Sequence, residues 1–464
     1  MKFEPTLESV RQHVLPDWFS KAKLGIFIHW GLYSVPAWAP PGKDIDQQVK
    51  EKGWRAMFAN NPYAEWYLNS LRVGDTPTRR HHTATYGADY DYDNFAVEFN
   101  RAVETWNPQD MASLFSQVGA RYVVLTTKHH DGFLLWPSEL TSPYKAPGFA
   151  AKRDLVGELT NAVRQHGMRM GLYYSGGLDW SFNPQPILDF PDVPGTIVQT
   201  PEFIAYVNAH FRELIDRYAP SVLWNDIGYP AGANAPELFA YYYNTVADGV
   251  INDRWAQKMP EGQSEFGPPI PEARDYHFDY ITPEYTTFTG IQERPWEICR
   301  GIGHSFGYNQ IEGPDDYLSV EALVHLFVDV VSKNGNLLLN VGPKADGSIP
   351  ELQRERLSGL GDWLAVNGEA MFDSTPWTTA EGKTADGIDL RYTQKDGTLY
   401  ATLLATPRPG SVTIENFQGL QPGTVQLLGQ GGSLSFTQSD GRLTVELPAV
   451  QPGPAHVLKI IPAR

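Results

Sequence analysis

Cysteine is almost missing from this chain: among 464 residues only Cys299 carries a thiol. A single cysteine builds neither an intrachain disulfide framework nor a cysteine-based metal site. Long apolar runs are missing as well, and no segment approaches the roughly 20 residues that a membrane-spanning helix needs. The N-terminal MKFEPTLESVRQHVLPDW lacks the apolar core of a secretory leader, which predicts a cytoplasmic protein. Positive charge is in deficit, with 37 Lys and Arg against 54 Asp and Glu, a net of −17 at pH 7. That balance argues against nucleic acid and anionic membrane as partners and suits a neutral or cationic ligand. What is plentiful is core: 42% of the residues are hydrophobic and 13 are Trp, enough for a folded chain of two or three domains.

Apolar strands that end in polar residues recur along the chain. Leu24 to Ile28 stops at His29-Trp30-Gly31, and Arg121 to Thr127 stops at Lys128-His129-His130-Asp131. Met168 to Tyr174 closes in Ser175-Gly176-Gly177, and Ser221 to Trp224 ends in Asn225-Asp226. Helical patterns separate them. Asn107-Pro108 opens one as cap and first residue, with Gly119 as its stop. Others start at Asp154, run from about Pro201 to Tyr218 and from Ala235 to Val246, start at Ser319, and run from Pro350 to Val366. Shorter apolar stretches at Val250 and from Trp296 to Ile302, with Asn336 to Val341, complete the alternation. It predicts a (β/α)8-like barrel over residues 1–368. From 369 to 464, Asp396-Gly397 and Asp440-Gly441 turns and the alternation of Leu443, Val445 and Leu447 predict a small all-β sandwich. Residues 35 to 103 read as a long irregular loop, in which His81-His82 is expected at the surface. Met259 to Glu272 reads as a Pro/Gly-rich loop. Asp89, Asp91 and Asp93 alternate as in a calcium loop, but Asn94 and Asn100 stand where that loop needs Gly and Glu.

In a strand, Val222, Trp224 and Asp226 share one face, which puts a carboxylate at the strand's C-terminal end above an indole. That end is where barrel active sites are built. The other polar groups expected there are His29, His129, His130, Tyr173, Arg254 and Glu284, with Glu65 from the long first loop. Three readings fit. A metal-dependent hydrolase would use His29, His129, His130 and Asp226, but adjacent histidines on a strand diverge, and no alternating pair is present. The histidines are otherwise ordinary core residues and the acids caps. The third reading is glycoside hydrolysis, with Asp226 and Glu284 as the two carboxylates that reaction needs.

The motifs HWG at His29, EWY at Glu65, KHHDGF at Lys128, LYYS at Leu172, WND at Trp224, NDRW at Asn252, PEY at Pro283 and RGIGHSFGYN through Phe306 occur in order. As a set they resemble the α-L-fucosidase family of retaining glycoside hydrolases, from Trp18 to about Val366. The resemblance implies an exo-acting enzyme with no cofactor and no metal, and a small carbohydrate, an α-L-fucoside, as its partner; a homo-oligomer is compatible with it. It implies Asp226 as nucleophile and Glu284 as general acid/base, with Glu293 and Glu297 as alternatives to Glu284. It implies that His29, Glu65, Trp66, His129, His130, Trp224 and Arg254 bind or frame the sugar. Phe306 would lie near its methyl group and Tyr173 near the nucleophile. A catalytically inactive, lectin-like fucose-binding barrel is the alternative within the same fold.

Overall fold

The apolar runs expected as barrel strands pair side by side in a computed structural model, which describes residues 2–42, 45–257 and 276–463. The seven parallel strands among these are β1 (Leu24–Ile28), β2 (Tyr122–Lys128), β3 (Arg169–Ser175), β4 (Val222–Asp226), β5 (Val250–Ile251), β6 (Trp296–Gly301) and β7 (Gly335–Val341). They form one sheet in the order β5-β4-β3-β2-β1-β7-β6. β1, β2, β4 and β7 are buried along their whole length, as parallel strands covered on both faces must be. The two edges, β5 and β6, are joined by residues 279–285 through isolated contacts. The Asp279 N–H donates to the Ile251 carbonyl at 3.0 Å, Ile281 bridges Trp296, and Glu284 bridges Cys299. Proline at 283 has no N–H to give a ladder, and the eighth barrel position is filled by bridges instead of a regular strand.

Side chains that cap helices set the alternation of strand and helix. Asn107, Asp154, Thr200, Asn234 and Ser319 each accept a backbone N–H from the first turn of the helix that follows. Each such cap is worth about 1 kcal/mol. Gly119 adopts the left-handed conformation and ends the helix Pro108–Val118, as its position predicts. No helix among the described residues is long and apolar enough to cross a membrane.

Three expectations change. The stretch from 35 to 103 is largely helical, with helices Ile45–Lys52, Trp54–Ala59, Tyr67–Arg72, Pro77–Tyr86 and Phe95–Ala102. They are too short, at 6 to 10 residues, for a helical period to stand out from the sequence. The paired histidines are not surface residues: His82 is buried and bonded to the Tyr67 hydroxyl and the Tyr90 carbonyl, and His81 stacks on Trp38 with ring centroids 4.3 Å apart. The last barrel helix runs on past Val366, spanning Glu351–Met371, because Ala370 and Met371 bury completely and hold its final turn. The loop expected from Met259 to Glu272 lies outside the described residues.

The β-rich tail forms two antiparallel sheets. One contains β8 (Thr375–Lys383), β9 (Asp389–Lys395), β10 (Thr398–Leu403), β12 (Pro422–Leu427) and β15 (His456–Pro462); the other contains β11 (Gly410–Ile414), β13 (Phe436–Ser439) and β14 (Arg442–Leu447). Asp396-Gly397 and Asp440-Gly441 make their tight turns, all four residues at positive φ. Trp363 and His325 of the barrel helices donate to the Ala455 and Pro454 carbonyls, so the sheets rest on those helices.

One glycine in the barrel is required by packing. A Cβ on Gly25 of β1 would lie 2.4 Å from the Tyr122 ring, and Tyr122 in turn donates to the Glu297 carboxylate inside the barrel. Gly25→Ala is expected to lower stability by about 1–3 kcal/mol, read as a lower urea midpoint with an unchanged slope. An unchanged midpoint would mean that the ring has room to move.

Candidate active site

The inward alternation of β4 does what its sequence predicts. Asp226 ends the strand, and two residues below it Trp224 is fully buried, its indole N–H donating to the Glu297 carboxylate at 3.0 Å. On the next strand Tyr173 sits opposite Trp224, the rings stacked with centroids 5.5 Å apart. Its hydroxyl donates to Asp226 Oδ2 at 2.8 Å. The chain then turns sharply. Ile227 takes a left-handed backbone with φ 49°, a conformation that costs a β-branched residue about 1–2 kcal/mol. Its carbonyl oxygen lies so close to Gly177 that a Cβ there would be 1.9 Å away. Tyr285, the residue after Glu284, is also left-handed, with φ 56°. Both carboxylates are thus presented just before a strained residue.

Arg254 joins them. Its Nη1 donates to Asp226 Oδ1 at 3.0 Å and its Nη2 to Glu284 Oε2 at 3.1 Å. The guanidinium is held in turn by Thr282, which accepts from Nε, and by the Cys299 sulfur, 3.3 Å from Nη2. Its flat face lies over the Trp224 ring, 4.7 Å from the centroid. Glu284 Oε1 accepts from the Tyr63 hydroxyl at 3.1 Å. Enclosure pushes the Glu284 pKa up; the Arg254 charge opposes that rise and the Asp226 charge adds to it.

The histidines are neutral ligands of this cavity. His29 is driven down to about 3 by burial, and His129 and His130 well below the usual histidine range for the same reason. The tautomers of two follow from their neighbours. The Asn340 amide nitrogen donates to the Phe306 carbonyl, so its oxygen accepts from His29 Nδ1–H, 2.7 Å away. Ser175 gives its hydrogen to the Leu178 carbonyl and accepts from His130 Nδ1–H at 2.6 Å. In both rings Nε2 is left as an acceptor. Glu65 is 2% exposed, and burial raises it to about 8 although the Gly307 N–H donates to it at 2.7 Å. Phe306 packs edge-on against Tyr63 and Tyr285 and tilted against His29.

Asp226, Glu284, His29, Glu65, Trp66, His129, His130, Tyr173, Trp224, Arg254 and Phe306 all line one cavity of about 330 Å³. Of the alternatives to Glu284, Glu293 is exposed, and Glu297 lies completely buried beneath Trp224; neither lines the cavity. The sequence reading missed Tyr63, Cys299 and Thr282, which line the same cavity, and Asn340 behind it. Tyr63 alone carried a usable signal, standing two residues before Glu65 in the same aromatic motif. The metal reading gains no geometric support. Among the described residues the one set of His, Cys, Asp and Glu whose ligand atoms gather within 4.8 Å is His13, His277 and Asp279. That set lies away from Asp226, beside Ile251 at the level of Leu223, and is already bonded to itself and to Tyr243.

Residues 1–369 match the family model described as Alpha-L-fucosidase, and residues 386–461 match the one described as Alpha-L-fucosidase C-terminal domain. The tissue alpha-L-fucosidase of Mus musculus is 32% identical over 462 residues, covering 97% of this chain and 92% of its own. The crystal structure of the Thermotoga maritima alpha-fucosidase in complex with fucose superposes with a TM-score of 0.85 at 43% identity, covering 99% of this chain and 100% of that one. An aspartate-to-glycine alpha-L-fucosynthase form of the T. maritima protein, in complex with a fucosyl-fucosyl azide, is 43% identical with a TM-score of 0.88 over the same shares.

Glu65 gives the cavity a pH signature in folding. Its folded pKa, about 8, lies above the ordinary carboxylate value of 4.5. The native state therefore holds a proton that the unfolded chain has released, and stability falls as pH rises between those two values. The Tm advantage of Glu65→Gln over the native chain is expected to be smallest near pH 5 and to grow toward pH 8. A constant difference across that range, measured by thermal melts, would remove the buried protonated carboxyl.

Proposed function

The chain belongs to the α-L-fucosidase family of glycoside hydrolases, and from that premise we propose that Asp226 is its nucleophile and Glu284 its general acid/base in an exo-acting, retaining hydrolysis of terminal α-L-fucosides. The observation that carries the assignment is the Arg254 fork, which holds one oxygen of each carboxylate at the mouth of the same strand-end cavity. Retention needs two carboxyl groups about 5–5.5 Å apart, one to bond the sugar and one to move protons. Both Asp226 oxygens are held, by Tyr173 and Arg254, and Arg254 supplies the counter-charge for a carboxylate that must attack as an anion.

Glu284 has the opposite requirement, and its partners favour one oxygen. A guanidinium only donates, so Oε2 facing Arg254 Nη2 is not the protonated oxygen. Oε1 faces the Tyr63 hydroxyl, which accepts as readily as it donates. The acid proton therefore belongs on Oε1, and from there it passes to the glycosidic oxygen as the bond to the leaving group breaks. Asp226 closes on the anomeric carbon through an oxocarbenium-like transition state. Water then replaces the carboxylate, giving its proton back to Glu284 Oε1.

The remaining residues fit a deoxy sugar. Nε2 of His29 and of His130 accepts from ring hydroxyls, and Glu65 and His129 add further polar contacts. Trp66 and Trp224 frame the ring, and the apolar face of Phe306 suits a methyl group where other hexoses carry CH₂OH. The β-rich region, residues 369–464, supplies no described residue to the cavity and serves as structural support.

Replacing each carboxylate separates the two roles. Asp226→Gly is expected to abolish turnover of every fucoside and, with azide, to give the β-fucosyl azide by inversion. Glu284→Ala is expected to keep turning over aryl fucosides with good leaving groups about 10²–10⁴-fold better than fucosides of poor ones. Its trapped fucosyl-enzyme should release α-fucosyl azide. If Glu297→Ala or Glu293→Ala shows that pattern and Glu284→Ala does not, the acid/base assignment moves to that residue.

A further inference from the structure

The cavity continues outward past the two carboxylates, and its outer half differs in chemistry from its inner half. The helix Trp54–Ala59 turns Trp54, Met57 and Phe58 onto one face by their i, i+3, i+4 spacing, and all three line the cavity. Phe190 faces them from the loop after β3, its ring 5.0 Å from Trp54 and 31° to it. Trp54 is 6.1 Å from Phe58, and Phe58 is 5.7 Å from Trp66, which lines the inner half. Four aromatic rings thus run in contact from the sugar end to the mouth. Polar side chains of the same wall are engaged in holding loops. Gln257 donates its amide to the Pro230 and Ala233 carbonyls, Gln199 accepts from the Ala231 N–H, and Asn61 accepts from the Tyr63 N–H.

The inner half is closed beneath by Trp224 and Phe27, both fully buried, so a group attached to the anomeric carbon projects outward past Glu284. We infer that the outer half is an aglycone site that takes an apolar group, an aromatic or alkyl alcohol, in preference to a second sugar. The inference rests on the fucosidase reading above and adds a leaving-group class to it. A second sugar needs hydrogen-bond partners along its ring, and the described wall offers aromatic faces instead. An arylalkyl group laid on the Trp54 and Phe190 rings leaves water without leaving polar groups unpaired.

Two fucosides whose departing alcohols are of similar basicity isolate this contact from leaving-group chemistry. The ratio of kcat/KM for 2-phenylethyl α-L-fucoside over methyl α-L-fucoside is expected to be about 10-fold or more in the native chain. Trp54→Ala and Phe190→Ala should each bring that ratio toward one, whatever they do to the absolute rates. A native ratio near one, or a ratio that both variants leave intact, overturns the aglycone site. α-L-Fucosyl fluoride, which carries no aglycone, reports the reaction itself. Its hydrolysis without an arylalkyl preference overturns the site alone. No hydrolysis of the fluoride by the native chain overturns the fucosidase reading, and the site with it.

Discussion

One cation between two anions sets the geometry of this protein's cavity. Arg254 is the group through which Asp226 and Glu284 are placed relative to each other, and it is itself only 19% exposed. A guanidinium in that position is tolerable because each nitrogen has a partner: Thr282 on Nε, Asp226 on Nη1, and Glu284 with Cys299 on Nη2. Removing either carboxylate leaves part of a poorly solvated charge unmatched, and removing the arginine leaves two neighbouring anions to repel each other. The indole beneath adds its π face without competing for the donors.

What holds the arginine is a stack of aromatic and carboxyl groups inside the barrel. Trp224 lies under it and is anchored by Glu297, which burial raises to about 7 and which also accepts from Tyr122. Tyr122 packs against Gly25 of the neighbouring strand, so the orientation of the site is transmitted from β1 and β2 through β4. Asn225 and Asn252 fasten the next pair of strands. Asn252 accepts from the Asn225 N–H and donates to its carbonyl, continuing the β4–β5 ladder with a side chain where β5 itself stops. The invariance of the nucleophile's position thus rests on residues that never touch the cavity.

The strand period made Asp226 legible, because a carboxylate two residues above a buried tryptophan on a short apolar run has few other places to go. Helix starts were equally plain wherever Asn, Asp or Ser stood before an apolar pattern. Three kinds of information were not local to the sequence. The helices between residues 45 and 102 are short and take their stability from packing on the barrel. His82 reads as polar surface until Tyr67 and Tyr90, 15 and 8 residues away, are seen to satisfy both ring nitrogens. Tyr63 and Cys299 enter the site only when strands far apart in sequence close on one another. Recognising the ordered motifs named the cavity residues, whereas the geometry of the fork, the tautomers and the choice of Glu284 over Glu297 required the fold.

Asp226 and Glu284 are mounted on backbones of different kinds. β4 is flanked by paired strands, so a one-residue slip would reverse the face of every side chain on it and destroy the core. Residues 279–285 touch β5 and β6 only at separate points, with Pro283 interrupting any ladder. An insertion or deletion there changes which residue reaches Arg254 without changing the register of the sheet. The barrel therefore has one immovable half-site and one that sequence drift can rebuild, and a proton donor arriving from a neighbouring position would find the arginine already waiting.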